Sequence, residues 1–131
     1  SKDRESVQLV EILKQQNLQH LSGVGVWDLV RTAQVLGGAV FYLGNDTGLA
    51  HLAESVGTSA NVIFGPTVPD MGFGPWRSTS ISVGSSIWCR PCGKDGRYCF
   101  RKKRPYLCLS SLDPQTVVET VLRKQDHAPR T

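Results

Sequence analysis

The most distinctive chemical pattern in this chain lies between Asn45 and His51, which read NDTGLAH. An apolar run precedes these residues and a stretch with helical periodicity follows them, so the pattern predicts a strand, a turn and a helix start. In open α/β sheets, ligands bind at the carboxyl ends of the strands. The backbone N–H groups of Thr47 and Gly48 would lie at or near a helix N-terminus, where the helix dipole also favours an anion.

Two residues in this run bear on the hypothesis that this anion is a phosphate. Gly48 has no Cβ, so a phosphate could come close to its backbone. His51 lies about one helical turn beyond Gly48 and could face the same crevice. The alternative is that Asp46 or Thr47 only caps the helix and that His51 is a surface residue.

A second loop follows the next apolar run and contains Gly65, Pro66 and Thr67. Because both loops follow predicted parallel strands, they should leave the sheet at the same edge. Side by side, they would form a pocket of the size of a nucleotide. The alternative is a rigid surface loop, since glycine and proline alone indicate only an irregular backbone.

Residues 88–108 form a third pattern, which we call the cysteine loop. It contains all four cysteines of the chain, Cys89, Cys92, Cys99 and Cys108. Cys-x-x-Cys is the usual half of a structural zinc site, but the second pair of cysteines is too widely spaced for an ordinary zinc ribbon. Reduced thiols, a structural zinc ion and one or more disulfides therefore stay open as alternatives.

The cysteine loop is also strongly basic. Seven bases and one acid lie between Cys89 and Arg104, so this stretch carries +6 in a chain whose net charge is +4. Aromatic residues are interleaved with the bases. Such a segment could bind phosphates, an acidic lipid surface or nucleic acid, or could be a solvated connector.

The composition fits one soluble domain. The chain has 131 residues, of which 40% are hydrophobic and 20% charged. These values exclude a largely disordered chain, and no apolar run approaches the roughly 20 residues of a membrane-spanning helix. The charged start is not a secretory signal, and it lacks Met, so we expect a domain of a longer protein.

The elements that must position these residues follow from hydropathy periodicity. The pattern predicts helices over 3–16, 27–36, 49–56 and 114–123, and strands over 18–22, 39–43, 61–64 and 80–83. Helices that alternate with continuous apolar strands indicate an α/β fold, a Rossmann-like parallel sheet with helices on both faces. We expect one domain over residues 1–125 and a flexible tail over 126–131.

The run GNDTGLAHLAESVGTSANVIFGPTVP resembles the nucleotide-sugar site of glycosyltransferase family 9, the ADP-heptose–lipopolysaccharide heptosyltransferases. The family pattern is Asp-Thr-Gly or Asp-Ser-Gly, then His-Leu-Ala, a strand, and Phe-Gly-Pro-Thr. All four pieces stand here in order. The resemblance covers about residues 5–124 and extends to the Cys-x-Pro-Cys sequence and the closing Asp-Pro helix.

This resemblance implies the C-terminal, donor-binding half of a GT-B glycosyltransferase of the inverting type. It implies that Asp46 binds the sugar of the donor and that the backbone of residues 47–49 holds the diphosphate, with His51 against the same site. Gly65, Pro66 and Thr67 would complete the pocket. In the family the catalytic base and the acceptor site belong to the N-terminal domain, so we expect no catalytic residue here and no activity from this chain alone.

The resemblance also implies the partners. The donor would be ADP-heptose, and the acceptor a lipopolysaccharide core bound by the other domain, with no cofactor or metal needed for catalysis. We expect a bacterial, cytoplasmic protein whose basic loop makes peripheral contact with the inner membrane, and no nucleic-acid partner. A nucleic-acid-binding module, or an enzyme of the same fold that uses another nucleotide sugar such as a UDP donor, is the alternative.

Overall fold

A computed structural model describes residues 4–17, 19–93, 96 and 98–126. The chain divides into two compact units, Ser1–Val35 and Leu36–Thr131. In chain order the elements are α1 (Arg4–Gln15), α2 (Leu29–Gly37), β1 (Tyr42–Asn45), α3 (Gly48–Ser55), β2 (Ala60–Phe64), a 3₁₀ turn (Pro69–Met71), β3 (Ile81–Gly84), α4 (Leu107–Ser110) and α5 (Pro114–Asp126). The expectation that residues 1–125 form a single domain stays a prediction.

The first unit contains α1 and most of α2, and both helices confirm the predicted periodicity. The Asp28 carboxylate accepts a hydrogen bond from the Arg31 N–H at 2.7 Å and so caps the start of α2. The predicted strand over 18–22 is wrong for residues 19–22, which form no strand; Leu18 lies outside the described residues. Leu21 is 78% exposed, so this short run buries no apolar face that could hold it in a sheet.

The second unit is built on three parallel strands, which the described residues order as β1-β2-β3. The predicted parallel α/β fold is thus confirmed. The first strand is displaced from the predicted 39–43, and Val40 is 85% exposed. Pairing begins at Tyr42, whose N–H donates to Ser59 at 2.8 Å, because β2 lies alongside only from Ala60 onward.

Helices cover both faces of this sheet. On one face α3 supplies Ala50 to a core cluster with Ala60, Val62 and Phe64, against which Tyr42 packs. On the other face, α5 reaches the central strand through the Gln125 amide, which donates to the Asn61 side chain at 3.2 Å. Such coverage explains why β2 is buried on both faces.

The last two helices extend what the sequence predicts. The Asp113 carboxylate caps α5, because it accepts hydrogen bonds from the hydroxyl and the backbone N–H of Thr116. These hydrogen bonds lower the pKa of Asp113. The helix continues through Asp126, the first residue of the predicted tail; residues 127–131 lie outside the described residues. The short helix α4 has no clear sequence signal. No helix of the described chain is long and apolar enough to cross a membrane.

One buried carboxylate fixes the C-terminal half of α3. Glu54 is only 1% exposed, and its oxygens accept the N–H groups of Trp76 and Arg77 at 2.9–3.1 Å and the Ser80 hydroxyl at 2.8 Å. This helix is thereby tied to the segment that leads into β3. These hydrogen bonds stabilise the buried carboxylate. Removal of the Glu54 side chain would leave their N–H and O–H donors without an acceptor.

We predict that Glu54→Ala lowers the free energy of unfolding by about 2 kcal/mol or more, because buried N–H groups lose their acceptor. Urea denaturation followed by circular dichroism measures this. Glu119→Ala, at an exposed position of α5, is the matched control and should change stability little. Equal stability of the two variants would show that the Glu54 hydrogen bonds contribute nothing.

Candidate functional site

The carboxyl ends of β1 and β2 bring the two predicted loops together. Asn45 is paired with Ile63, so the residues that follow each strand leave the sheet at one edge. The Thr67 hydroxyl donates a short hydrogen bond to Oδ2 of Asp46. Thr67 is 6% exposed and Asp46 is half-buried, so this contact is partly shielded from solvent. The structure thus joins a residue of the first motif to a residue of the second.

The start of α3 is not capped by a side chain. Thr47 occupies the N-cap position in an extended conformation (φ −125°, ψ 168°), and its hydroxyl makes no capping hydrogen bond. The Asp46 carboxylate is turned to Thr67. Neither Asp46 nor Thr47 therefore acts as a side-chain cap of α3, which was the alternative to a ligand site. The first N–H groups of α3, at Gly48 and Leu49, have no acceptor within the helix.

The structure changes one detail of the sequence prediction. The N–H of Thr47 donates to the carbonyl of Asn45 at 2.9 Å, so it is already paired before any ligand arrives. Three backbone N–H groups were predicted to bind a phosphate. Two of them, those of Gly48 and Leu49, lie in the first turn of the helix, where no helix carbonyl accepts them. The Thr47 carbonyl accepts the N–H of Ala50 at 3.0 Å and so begins the helix.

Space above this helix start is open. A Cβ added to Gly48 would meet nothing within 4 Å, so the fold itself does not require glycine there. Leu49 is 44% exposed and His51 is exposed as well, while Ala50 and Ala53 face the core. A ligand could therefore approach the first turn of α3 from solvent, with His51 about one turn further along.

The second loop is held from behind by the segments that follow β3. A Cβ at Gly65 would come within 2.9 Å of the Leu109 side chain, so the loop packs closely on α4. The Pro66 carbonyl accepts the N–H of Cys92 at 2.9 Å. Gly65 therefore packs against α4 and Pro66 contacts the cysteine loop, whereas Thr67 reaches Asp46.

Sequence reasoning missed the part that Arg90 plays, since it counted this residue only as one charge of the basic loop. Its Nη2 donates to the Thr67 carbonyl at 2.8 Å, and its Nη1 donates a short hydrogen bond to the Ser85 carbonyl. A Cβ at Gly84 would lie 2.8 Å from Nη1, so the guanidinium passes directly over the end of β3. The available signal was its place after the third strand, at the same sheet edge.

The four cysteines are free thiols. The Cys92 thiol donates to the Cys89 carbonyl at 3.0 Å, and the Tyr106 N–H donates to the Cys99 sulfur at 3.3 Å. Within the part of the chain that the structure describes, no three His, Cys, Asp or Glu side chains are placed to hold a metal ion. The arrangement gives no support to a zinc site at Cys89, Cys92, Cys99 and Cys108, which stays a prediction of the sequence.

The outer surface of the cysteine loop is aromatic and basic. Trp88 and Tyr98 are 82% and 85% exposed, and the Trp88 and Phe100 ring centroids lie 6.1 Å apart. Lys102 and Lys103, which closely follow Phe100 in the sequence, are also exposed. Large exposed aromatic side chains of this kind commonly mark an interaction surface.

Fold and site together define a parallel α/β domain with an open, uncapped helix start beside an aspartate at the carboxyl edge of its sheet. Residues 1–100 match the model of glycosyltransferase family 9 (heptosyltransferase), so the chain belongs to this family. It is 37% identical to lipopolysaccharide heptosyltransferase 1 of Pseudomonas aeruginosa strain PAO1, an alignment that covers 79% of this chain and 31% of that protein.

The chain thus spans about a third of the length of the curated relative that it matches. No solved structure matches it. The family match confirms the resemblance drawn from the NDTGLAH and FGPT segments.

We predict that Cys99 is alkylated faster than Cys92 in the folded protein. Hydrogen bonds from the Tyr106 and Arg101 backbone lower the pKa of Cys99, whereas burial, and then the nearby Cys89 sulfur, raise the pKa of Cys92. Near neutral pH Cys99 therefore has the larger thiolate fraction, which outweighs the lower nucleophilicity of a more acidic thiol. Limited iodoacetamide labelling with peptide mass spectrometry measures both rates.

The control for this labelling is the same reaction in concentrated urea, where the two rates should converge because the local hydrogen bonds are lost. Faster labelling of Cys92 in the native protein would contradict the environment described for these thiols.

Proposed function

We propose that this chain is the donor-binding part of a glycosyltransferase that transfers heptose from ADP-heptose to the lipopolysaccharide inner core. Membership of glycosyltransferase family 9 and the name of the Pseudomonas relative support this proposal. The observation that carries it is the start of α3, whose N-cap side chain makes no capping bond and whose first residue has open space above it.

In this proposal the diphosphate of the donor lies at the first turn of α3. The N–H groups of Gly48 and Leu49 point at its oxygens, and the helix dipole stabilises their negative charge. Negative charge grows on the diphosphate as its bond to the sugar breaks. Fixed donors at the helix start would therefore stabilise the transition state more strongly than the bound donor.

Asp46 is proposed to hold the sugar. A carboxylate has two oxygens and about four lone-pair sites, and the hydroxyl of Thr67 occupies one position on Oδ2. The remaining lone pairs can accept hydrogen bonds from hydroxyl groups of the heptose. Thr67 would thereby orient the carboxylate before the donor arrives, while His51, Gly65 and Pro66 form the surroundings of the site.

We propose that the base which removes the acceptor proton, and the acceptor site itself, lie in another part of the protein. The chain corresponds to only 31% of the length of its relative. We assign no catalytic residue and no metal or other cofactor to this chain, and we expect it to bind the donor weakly and to turn nothing over alone.

For the location of the protein, we propose the cytoplasm, with peripheral contact at the inner membrane through the aromatic and basic surface of the cysteine loop. Exposed Trp88 and Tyr98 together with lysines suit an interface of apolar chains and anionic headgroups. Nucleic acid could use the same features, but family membership favours the lipid surface.

Calorimetric titration with ADP-heptose, ADP and UDP tests the proposed donor. We expect binding of ADP-heptose and ADP at one competitive site, and no comparable binding of UDP. Binding of UDP alone would retain the diphosphate site and overturn the ADP donor. If none of the three binds, and the full-length protein also fails to bind them, the proposed function is wrong.

We predict that Gly48→Ala leaves the fold intact but weakens ADP binding by about tenfold or more. Alanine is a better helix former than glycine and meets no atom within 4 Å, so stability should not fall. Its methyl group would keep the diphosphate from the first N–H groups, and hydrogen bonds to a charged group contribute about 1.5–3 kcal/mol each. Calorimetry and thermal unfolding measure the two effects.

The matched control is Gly37→Ala at the end of α2, where a Cβ would make an ordinary contact with Val56 at 3.8 Å. This variant should bind ADP as the parent chain does. An undiminished ADP affinity of Gly48→Ala would remove the start of α3 from the binding site.

A further inference from the structure

We propose that Arg90 is a positioning residue of the donor site, which fixes Thr67 and through it the Asp46 carboxylate that would hold the sugar. The inference rests on the proposed function for the identity of the ligand. It gives the cysteine loop a role that is separate from its charge.

The hydrogen bonds of Arg90 and Thr67 together connect the loops after all three strands. Its guanidinium donates to Ser85, directly after β3, and to the Thr67 carbonyl in the loop after β2. The Thr67 hydroxyl in turn donates to Asp46, directly after β1. Arg90 therefore holds the backbone of Thr67, while the Thr67 side chain orients the Asp46 carboxylate.

The guanidinium group suits this task better than another cation. Its planar fork can donate to two carbonyls at fixed angles, which a lysine ammonium on a flexible stem does less well. The described residues contain no carboxylate ion pair of Arg90, and its Nε is buried without a hydrogen-bond partner. Arg90 therefore acts in this arrangement through its two donated hydrogen bonds, and Gly84 leaves the space for the guanidinium.

This arrangement predicts which part of the donor should be affected. Asp46 would bind the sugar, whereas the diphosphate would bind to the N–H groups of α3, which Arg90 does not contact. Loss of Arg90 frees the Thr67 backbone, lets its side chain rotate, and leaves Asp46 without a fixed orientation. Affinity for ADP-heptose should therefore fall while affinity for ADP stays nearly constant.

The test compares Arg90→Met, Thr67→Val and the double variant by calorimetry with ADP-heptose and with ADP. We expect each single variant to raise the Kd for ADP-heptose by about tenfold, with the Kd for ADP within about twofold of the parent value. The double variant should bind no more weakly than either single variant, because the two residues act in one chain of contacts. Arg90→Lys should restore part of the affinity.

Lys102→Met is the matched control, since it removes one positive charge from the same loop at an exposed position. It should leave the ratio of the two Kd values unchanged. A second measurement needs no ligand: three-bond scalar couplings should show one Thr67 side-chain rotamer in the parent chain and in Lys102→Met, and rotamer averaging in Arg90→Met.

Two results would overturn this inference. One is an Arg90→Met variant that keeps the single Thr67 rotamer and the ADP-heptose affinity of the parent chain. The other is an equal loss of ADP and ADP-heptose affinity, which would mean that Arg90 acts through charge or general stability. If neither the parent chain nor the full-length protein binds either nucleotide, the proposed function fails instead, and the Thr67 couplings still decide the role of Arg90.

Discussion

Parallel pairing of three short strands is the constraint on which the rest of the site depends. Because β1, β2 and β3 run in one direction, the loops that follow them all leave the sheet at the same edge. Residues 21 and 23 positions apart, such as Asp46 with Thr67 and Thr67 with Arg90, can therefore share hydrogen bonds. An antiparallel arrangement would place alternate loops at opposite edges.

The two ends of α3 serve different purposes. At its C-terminal half, Glu54 is buried and hydrogen-bonded to the segment before β3, which fixes the helix on the sheet. At its start, Thr47 leaves the first N–H groups without a side-chain cap. The hydrogen bonds of Glu54 thus lie at the end away from the proposed ligand, and the helix start keeps unsatisfied donors that an anion could use.

The sequence predicted the elements whose signal is local and strong. Periodicity located α3 and α5, and the continuous apolar run at 61–64 identified the central strand. The run at 39–43 was placed too early because apolar residues do not report where a neighbouring strand begins. The strand over 18–22 failed for a related reason, since the propensity of a short segment has no meaning without a partner to pair with.

The sequence predicts those residues of the candidate site that lie in recognisable motifs. Asp46 and Thr67 stand in recognisable segments, and the rule for parallel sheets places both loops at one edge. Arg90 has no such mark, because its neighbours suggest only a basic, cysteine-rich loop. Its contact with the Thr67 carbonyl depends on the path of the chain after β3, and no local pattern encodes that path.

Amide chemical-shift mapping by NMR is the most direct test of the central claim, that the start of α3 binds the donor diphosphate. We expect ADP to shift the amide signals of Gly48 and Leu49 most strongly, with smaller changes at His51. Shifts confined to the basic residues of the cysteine loop, with the signals of α3 unchanged, would mean that the anion binds elsewhere.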